Sequence, residues 1–213
     1  MDLDSEPRAN VDRYNRAMKL VPCSFGPSLT FEEAQNLSPN FSPAATLPEK
    51  TSEISLGHFG SLTSFRTDFL FAYDIFPRFL MRAEAQWIRE RRTMRIGDII
   101  VQRAVLPPIG FGICAEFAVR IPALIGEPSK LGFAYETLAG HLERGVSEFY
   151  FEERAGKVFF VVHTHSERAH WLSRLGKGFF SLRYQRWCTQ QALKHVKQRF
   201  HRDNERSIPI VKK

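Results

Sequence analysis

The sequence predicts an α+β fold: a curved antiparallel sheet wrapped around a long C-terminal helix, preceded by an irregular Pro-rich segment. Three observations predict it. Residues 130–168 (KLGFAYETLAGHLERGVSEFYFEERAGKVFFVVHTHSER) hold three apolar, β-branched and aromatic runs, separated by turn signals at 140–145 and at Ala155-Gly156. Two further strand patterns lie just upstream, and consecutive strands with short turns form an antiparallel meander. The chain then closes on a helical pattern with one apolar stripe, the kind of face that covers an open sheet.

The elements follow in order. Residues 1–50 read as a flexible arm and a Pro-rich extended segment packed on the domain. Pro22, Pro27, Pro39, Pro43 and Pro48 fix φ and remove donors there, and Leu29, Phe31, Leu37 and Phe41 are the side chains that could pin the segment down. Residues 51–204 form the single domain and 205–213 a basic tail. Residues 54–62 (ISLGHFGSL) suggest a short strand interrupted by Gly57 and Gly60. Phe65, Phe69, Ala72, Phe76, Phe79, Ala83 and Trp87 then recur at spacings of three and four. That spacing predicts a helix from Ser64 to about Arg92, kinked or split near Pro77. Strands are expected at 95–106, 113–121, 131–138, 146–153 and 158–165, with a loop at 122–129. A final helix runs from Gly176 or Gly178 to Arg202, its stripe formed by Phe179, Leu182, Thr189, Leu193, Val196 and Phe200. This order is helix-grip-like, an arrangement that often leaves a cavity between sheet and helix.

Composition bounds the function. Of 213 residues, 43% are hydrophobic, enough for one core, and the 19 Phe suit either a packed interior or the wall of an apolar cavity. Cys23, Cys114 and Cys188 are odd in number and widely spaced, with no CxxC. That argues against a disulfide framework or a structural zinc and fits a reducing compartment. The N-terminus, MDLDSEPRAN, is not a secretory signal. The apolar run at 69–81 is too short and too polar to span a bilayer. A cytoplasmic protein without a transmembrane segment is expected. The net charge is +7, and residues 171–213 hold 11 Lys and Arg against 2 Asp and Glu. A solvated helix face and basic tail account for this most simply. No strand interleaves aromatic and basic residues in the way single-stranded nucleic acid requires, so no nucleic-acid partner is expected.

Residues 133–145 (FAYETLAGHLERG), with Glu148 beyond, resemble the signature of an uncharacterised bacterial and plant family catalogued as domain of unknown function nineteen-ninety. Thr137, Leu138, Gly140, His141 and Gly145 fit it, as do Ala169-His170 and LTFEE at 29–33. The chain departs from it at Glu136, where the family has Gly, at Ser147, where an acid is common, and at His163 and His165. The resemblance implies a helix-grip fold similar to START and Bet v 1-like proteins, and it implies no established activity.

The expected ligand-binding groups are Tyr135, Thr137 and His141, with Phe133 and Phe179. They would bind a small apolar or amphipathic ligand non-covalently in the cavity. An alternative is an enzyme of cyclase, hydratase or hydrolase type, with His141 as general base and Glu148 or Glu143 as its orienter. A plainer reading has Thr137 and His141 bonding the backbone of their own turn. A third function would be an interaction module using the basic helix. His163 and His165, at i and i+2 in a strand, share a face and form a weak metal-ligand pair, with His170, His141 or Glu167 as partners. No metal or other cofactor is expected. Ser166 and His170 lack the G-x-S-x-G elbow of a hydrolase. Strands 146–153 and 158–165 are apolar on both faces, so the Pro-rich segment or a second subunit, as in a homodimer, is expected to cover the outer one.

Overall fold

The structure is a computed structural model and describes residues 19–24, 26–42, 46–58, 61–106, 112–168 and 182–205. Among these lie eight strands: β1 (Lys19–Pro22), β2 (Glu49–His58), β3 (Met81–Ala85), β4 (Ile99–Val105), β5 (Ile113–Glu127), β6 (Lys130–Thr137), β7 (Glu143–Arg154) and β8 (Lys157–Arg168). The helices are α1 (Phe31–Gln35), α2 (Asp68–Phe71), α3 (Gln86–Arg89) and α4 (Leu182–Asp203). Every strand pair is antiparallel, in the order β2-β8-β7-β6-β5-β4-β3, with β1 added beside β5. The α+β fold read from the sequence is observed, and β4 to β8 form the expected meander. None of the described helices is long and apolar enough to cross a membrane.

Alternation along the strands divides the sheet into two chemically different faces. Phe133, Phe149, Phe151, Phe160 and Val162 point inward, and Leu193, Val196 and Phe200 of α4 close on them. The Phe151 and Phe200 ring centroids lie 5.6 Å apart. On the outer face, Leu29 and Ala34 cover Ile99, Val101, Ala118 and Leu138.

The Pro-rich segment is more ordered than expected, since it contains β1 and α1. Thr30 and Glu33 form a reciprocal capping box that starts α1. Glu116 is fully buried and accepts from the N–H groups of Ser28 (2.9 Å) and Leu29 (2.7 Å) and from the Ser28 hydroxyl (2.6 Å). Arg120 donates to the carbonyls of Gln35 (3.1 Å) and Leu37 (2.8 Å) while it is ion-paired with Glu136 at 3.3 Å. The glutamate that departs from the family signature therefore helps to hold α1 in place.

Cys23 and Cys114 form a disulfide with Cα atoms 5.2 Å apart, which overturns the expectation of unbridged cysteines. Spacing in sequence misled because β1 pairs with the start of β5 and brings Val21 opposite Cys114. Cys188 is free.

The long helix expected at 64–92 is not formed. A 3-10 turn (Leu62–Ser64), α2 and α3 occupy the region, and between the helices β3 pairs with the edge of β4. Tyr73 and Arg91 have φ of 57° and 53°, which interrupts any helix there. Phe69, Leu70, Tyr73, Ile75 and Trp87 are buried nonetheless. Core burial and edge pairing override the helical spacing. The loop expected at 122–129 is also corrected. It is the second half of β5, bulged between Arg120 and Ala123 and paired with β6 through Glu127 and Lys130.

Among the described residues, the Pro-rich segment meets β7 and β8 near their ends, through Asn40 Nδ2 on the Glu143 carbonyl and the Pro48 carbonyl under Ser166 N–H. Cationic side chains lie over the outer rings of these strands: the Lys130 ammonium stands 5.4 Å over Tyr150, and the Arg154 guanidinium 4.2 Å over Phe159. The basic α4 is likewise partly engaged with the domain. Arg199 pairs with Asp74 at 3.1 Å, His195 meets Asp74 at 2.9 Å, and Lys197 donates to the Ser55 carbonyl at 2.9 Å.

Gly145 has φ of 140°, and a Cβ there would collide with the His165 carbonyl oxygen. Gly145→Ala should cost about 2 kcal/mol or more, because rigid backbone of the neighbouring strand has to move. Urea unfolding followed by circular dichroism checks this. An unchanged midpoint would contradict the packing described.

Candidate functional site

A cavity of about 570 Å³ lies between the inner face of the sheet and α4. Its walls are mainly apolar, from Phe76, Leu80, Phe117, Phe149, Val162 and Ala192. Polar side chains interrupt them, among which Gln102, Tyr135, His141 and Ser147 are buried and Thr164, Ser166, Glu167, Tyr184 and Thr189 are half-buried. Glu49, Lys50, Glu143 and Gln185 also border it, and these are half-buried or exposed, so the cavity has a polar rim.

Gln102 is the most informative of these residues. Alternation on β4 sends Ile99 and Val101 outward against α1 and leaves Gln102 facing in, fully buried. Its Nε2 donates to the Tyr73 hydroxyl at 2.6 Å. Its Oε1 is buried and has no partner among the described residues. An unpaired buried carbonyl costs about 1–3 kcal/mol, so the carbonyl is a strong acceptor left unused in a residue that lines the cavity. Burial pushes the Tyr73 and Tyr135 hydroxyls well above the ordinary tyrosine range, so both stay protonated. Tyr135 bonds Ser147, the residue opposite it on β7. At the other end of the cavity Tyr184 donates to the Val105 carbonyl at 3.0 Å.

His141 follows β6 in the connection to β7 and is 5% exposed. Its Nδ1 accepts from the Glu143 backbone N–H at 2.9 Å. The same Nδ1 also lies 3.1 Å from the Glu143 carbonyl oxygen, so the Glu143 backbone holds the ring in either neutral tautomer. Phe117 packs edge-on against the ring, with centroids 4.3 Å apart. Burial lowers its pKa to about 3, only partly offset by the Glu143 backbone contact.

The structure brings Tyr135 and His141 together on the cavity wall, with ring centroids 6.5 Å apart. Thr137 does not reach the cavity. Its hydroxyl donates to Asn40 Oδ1 at 2.6 Å and accepts from Gly145 N–H at 2.8 Å, so it serves the turn. Phe133 is fully buried behind Phe149, stacked on it at 5.8 Å, and does not line the cavity. Phe179 lies outside the described residues. Glu148 is separated from His141, because Ser147 faces inward and Glu148 must then face outward, where it meets His163 at 3.3 Å. Glu143 meets His141 through its backbone, and its carboxylate accepts from Gln185 Nε2 at 3.1 Å. Among the described contacts, no carboxylate orients His141 as the enzyme alternative requires. His163 and His165 sit on the outer face, away from His141, and Glu167 pairs with Arg144. His170 lies outside the described residues.

Sequence reasoning missed Gln102. The only available signal was a single uncharged polar residue inside the apolar run IIVQRAV.

The model of the domain of unknown function DUF1990 matches residues 50–195. The chain belongs to this family. The match runs from the first strand of the cavity wall through most of α4, and it bears out the resemblance carried by residues 133–145. A UPF0548 protein of Deinococcus radiodurans is 38% identical over 68 residues, 32% of this chain and 34% of its own length, so the match spans about a third of that relative. Among solved structures, the ginseng major latex-like protein 151 of Panax ginseng aligns over 73% of this chain and 99% of its own, at 8% identity and TM-score 0.48. Protein Ms6760 of Mycobacterium smegmatis aligns over 72% and 90%, at 16% identity and TM-score 0.44.

The His141 environment in this DUF1990 domain makes a pH prediction. The folded pKa of about 3 lies below the ordinary 6.5, so between these values the unfolded chain binds a proton that the folded chain refuses. Its contribution to stability is complete above pH 6.5 and declines as pH falls toward 3, by at most about 1.4 kcal/mol per pH unit. NMR of the His141 ring should show no titration between about pH 8 and 5. A midpoint near the ordinary histidine value would contradict the buried site.

Proposed function

We propose that this DUF1990 protein binds a small amphipathic molecule non-covalently, with an apolar body in the cavity and a hydroxyl or N–H group donating to Gln102 Oε1. The observation that carries this reading is Gln102, a fully buried residue of the cavity lining whose carbonyl has no partner among the described residues. A volume of about 570 Å³ lies within the roughly 300–1,000 Å³ typical of small-molecule sites. Such sites combine apolar walls with a few polar groups that fix orientation, and Gln102, His141 and the Tyr135–Ser147 pair fill that role. Gln102 and His141 are both uncharged at neutral pH, and the charged side chains Glu49, Lys50, Glu143 and Glu167 border the cavity away from the fully buried Gln102. The ligand group that meets Gln102 is therefore neutral, because a charged group at that buried position would lose its hydration.

The test compares long-chain or polycyclic alcohols with their methyl ethers, which keep the oxygen acceptor and lose the donor. Alcohols should bind about tenfold more tightly, the worth of one buried hydrogen bond. Gln102→Leu should remove that preference while leaving the ethers nearly unaffected. Ala104→Trp, which places a large ring in the cavity, should abolish both. Displacement of an environment-sensitive fluorophore measures all three. Equal affinity for each alcohol and its ether, or no binding that Ala104→Trp removes, would overturn the reading.

A further inference from the structure

The outer face of the sheet carries a second constellation, which shares only Glu49 with the rim of the cavity. His163 and His165 point outward from β8. The register places Glu49 of β2 opposite His165, and Glu148 of β7 opposite His163. One ligand atom from each of Glu49, His163 and His165 lies within 4.8 Å of the others. His163 Nε2 is 2.9 Å from Glu49 Oε1, and His163 Nδ1 is 3.3 Å from Glu148 Oε2. The two imidazole rings are 4.6 Å apart between centroids.

We propose that Glu49, His163 and His165 form a binding site for a divalent transition-metal ion, with Glu148 positioning the His163 ring. A cation bound there replaces the proton that His163 Nε2 and Glu49 Oε1 share. Ligand bonds of about 2.0–2.2 Å require donors somewhat closer than they now lie, and rotation of half-buried or exposed side chains supplies that movement. Three protein ligands leave a fourth position to water. Two imidazoles with one carboxylate suit zinc, nickel or copper, whereas magnesium and calcium prefer all-oxygen sets. Glu148 supplies what metal-bound histidines usually have: a carboxylate on the other ring nitrogen that fixes the tautomer and makes the ligand more basic. His163 is thus gripped on both sides, by a ligand partner and by an orienting partner. Two strand histidines alone are a weak signal. What raises this pair is the arrival of two acids from the flanking strands at the matching register positions. The two histidines lie on the opposite face of the sheet from Gln102 and outside the cavity lining, so the histidine variants test the metal site separately from the proposed ligand binding.

The experiment titrates zinc into the full chain, free of any histidine tag, in competition with a chromophoric chelator. One equivalent should bind, and magnesium should not compete. His163→Ala and His165→Ala should each weaken zinc binding at least about tenfold, and Glu148→Gln should weaken it by about tenfold through loss of ring orientation. His195→Ala, a histidine on α4 that meets Asp74 instead, should leave binding unchanged. The mutated side chains lie at the surface, so thermal unfolding of each variant without metal verifies that it folds. Absence of a stoichiometric zinc site would overturn the proposal. So would a site that survives His163→Ala and His165→Ala, which would place the metal elsewhere, or a Glu148→Gln variant that binds like the parent, which would remove the positioning role.

Discussion

The hydrogen bond from the Thr137 hydroxyl to Asn40 Oδ1, 2.6 Å long and fully buried, is the joint on which the rest depends. It ties the end of β6 to the segment wrapped over the outer face. Asn40 completes the joint with its backbone N–H to the Thr137 carbonyl at 3.1 Å and its Nδ2 to the Glu143 carbonyl at 2.8 Å. The same threonine oxygen receives Gly145 N–H. Both sides of the β6–β7 connection are fixed, and His141, held between them, is driven into the cavity wall with its Nδ1 on the Glu143 amide. A surface loop would leave a histidine free to titrate. This one keeps it neutral and turned toward Phe117 and Tyr135. The family signature is therefore mainly a folding device, and it acts on the cavity indirectly.

The two faces of the sheet do separate work because a strand repeats every two residues. On β4, Ile99 and Val101 seal α1 while Gln102 reaches the cavity. On β7, Ser147 faces the cavity and Glu148 the outer histidines. An acid and a histidine that look adjacent in sequence, Glu148 and His141, are thereby set apart. Residues far apart in sequence, Glu49 and His163, are set side by side. The most deeply buried polar groups of the cavity, Gln102, Tyr135, His141 and Ser147, are uncharged, and the charged side chains Glu49, Lys50 and Glu143 border it.

Legibility in the sequence followed the range of the forces involved. The five strands β4 to β8 and the helix α4 were readable, because alternation and one apolar stripe are local patterns that burial reinforces. The stretch from Phe65 to Trp87 was not. Its aromatic residues recur at helical spacing, but they are buried from turns and from an edge strand, and the positive φ of Tyr73 leaves no trace in a pattern. The disulfide was invisible for the same reason, since Cys23 reaches Cys114 only through the pairing of β1. Within the site, Tyr135 and His141 were found through the signature. Gln102 escaped notice because nothing in sequence tells a satisfied core glutamine from one whose carbonyl meets no partner.

The proposed function requires that the cavity hold a neutral molecule against Gln102. Native mass spectrometry of the full chain isolated from its own host, with identification of whatever is released, tests that most directly. The account predicts one small amphipathic molecule per chain, bearing a hydroxyl or N–H group and missing from Ala104→Trp protein made in the same host. Bare protein in both cases, with a crystal structure in which a group of the chain itself meets the Gln102 carbonyl, would contradict it.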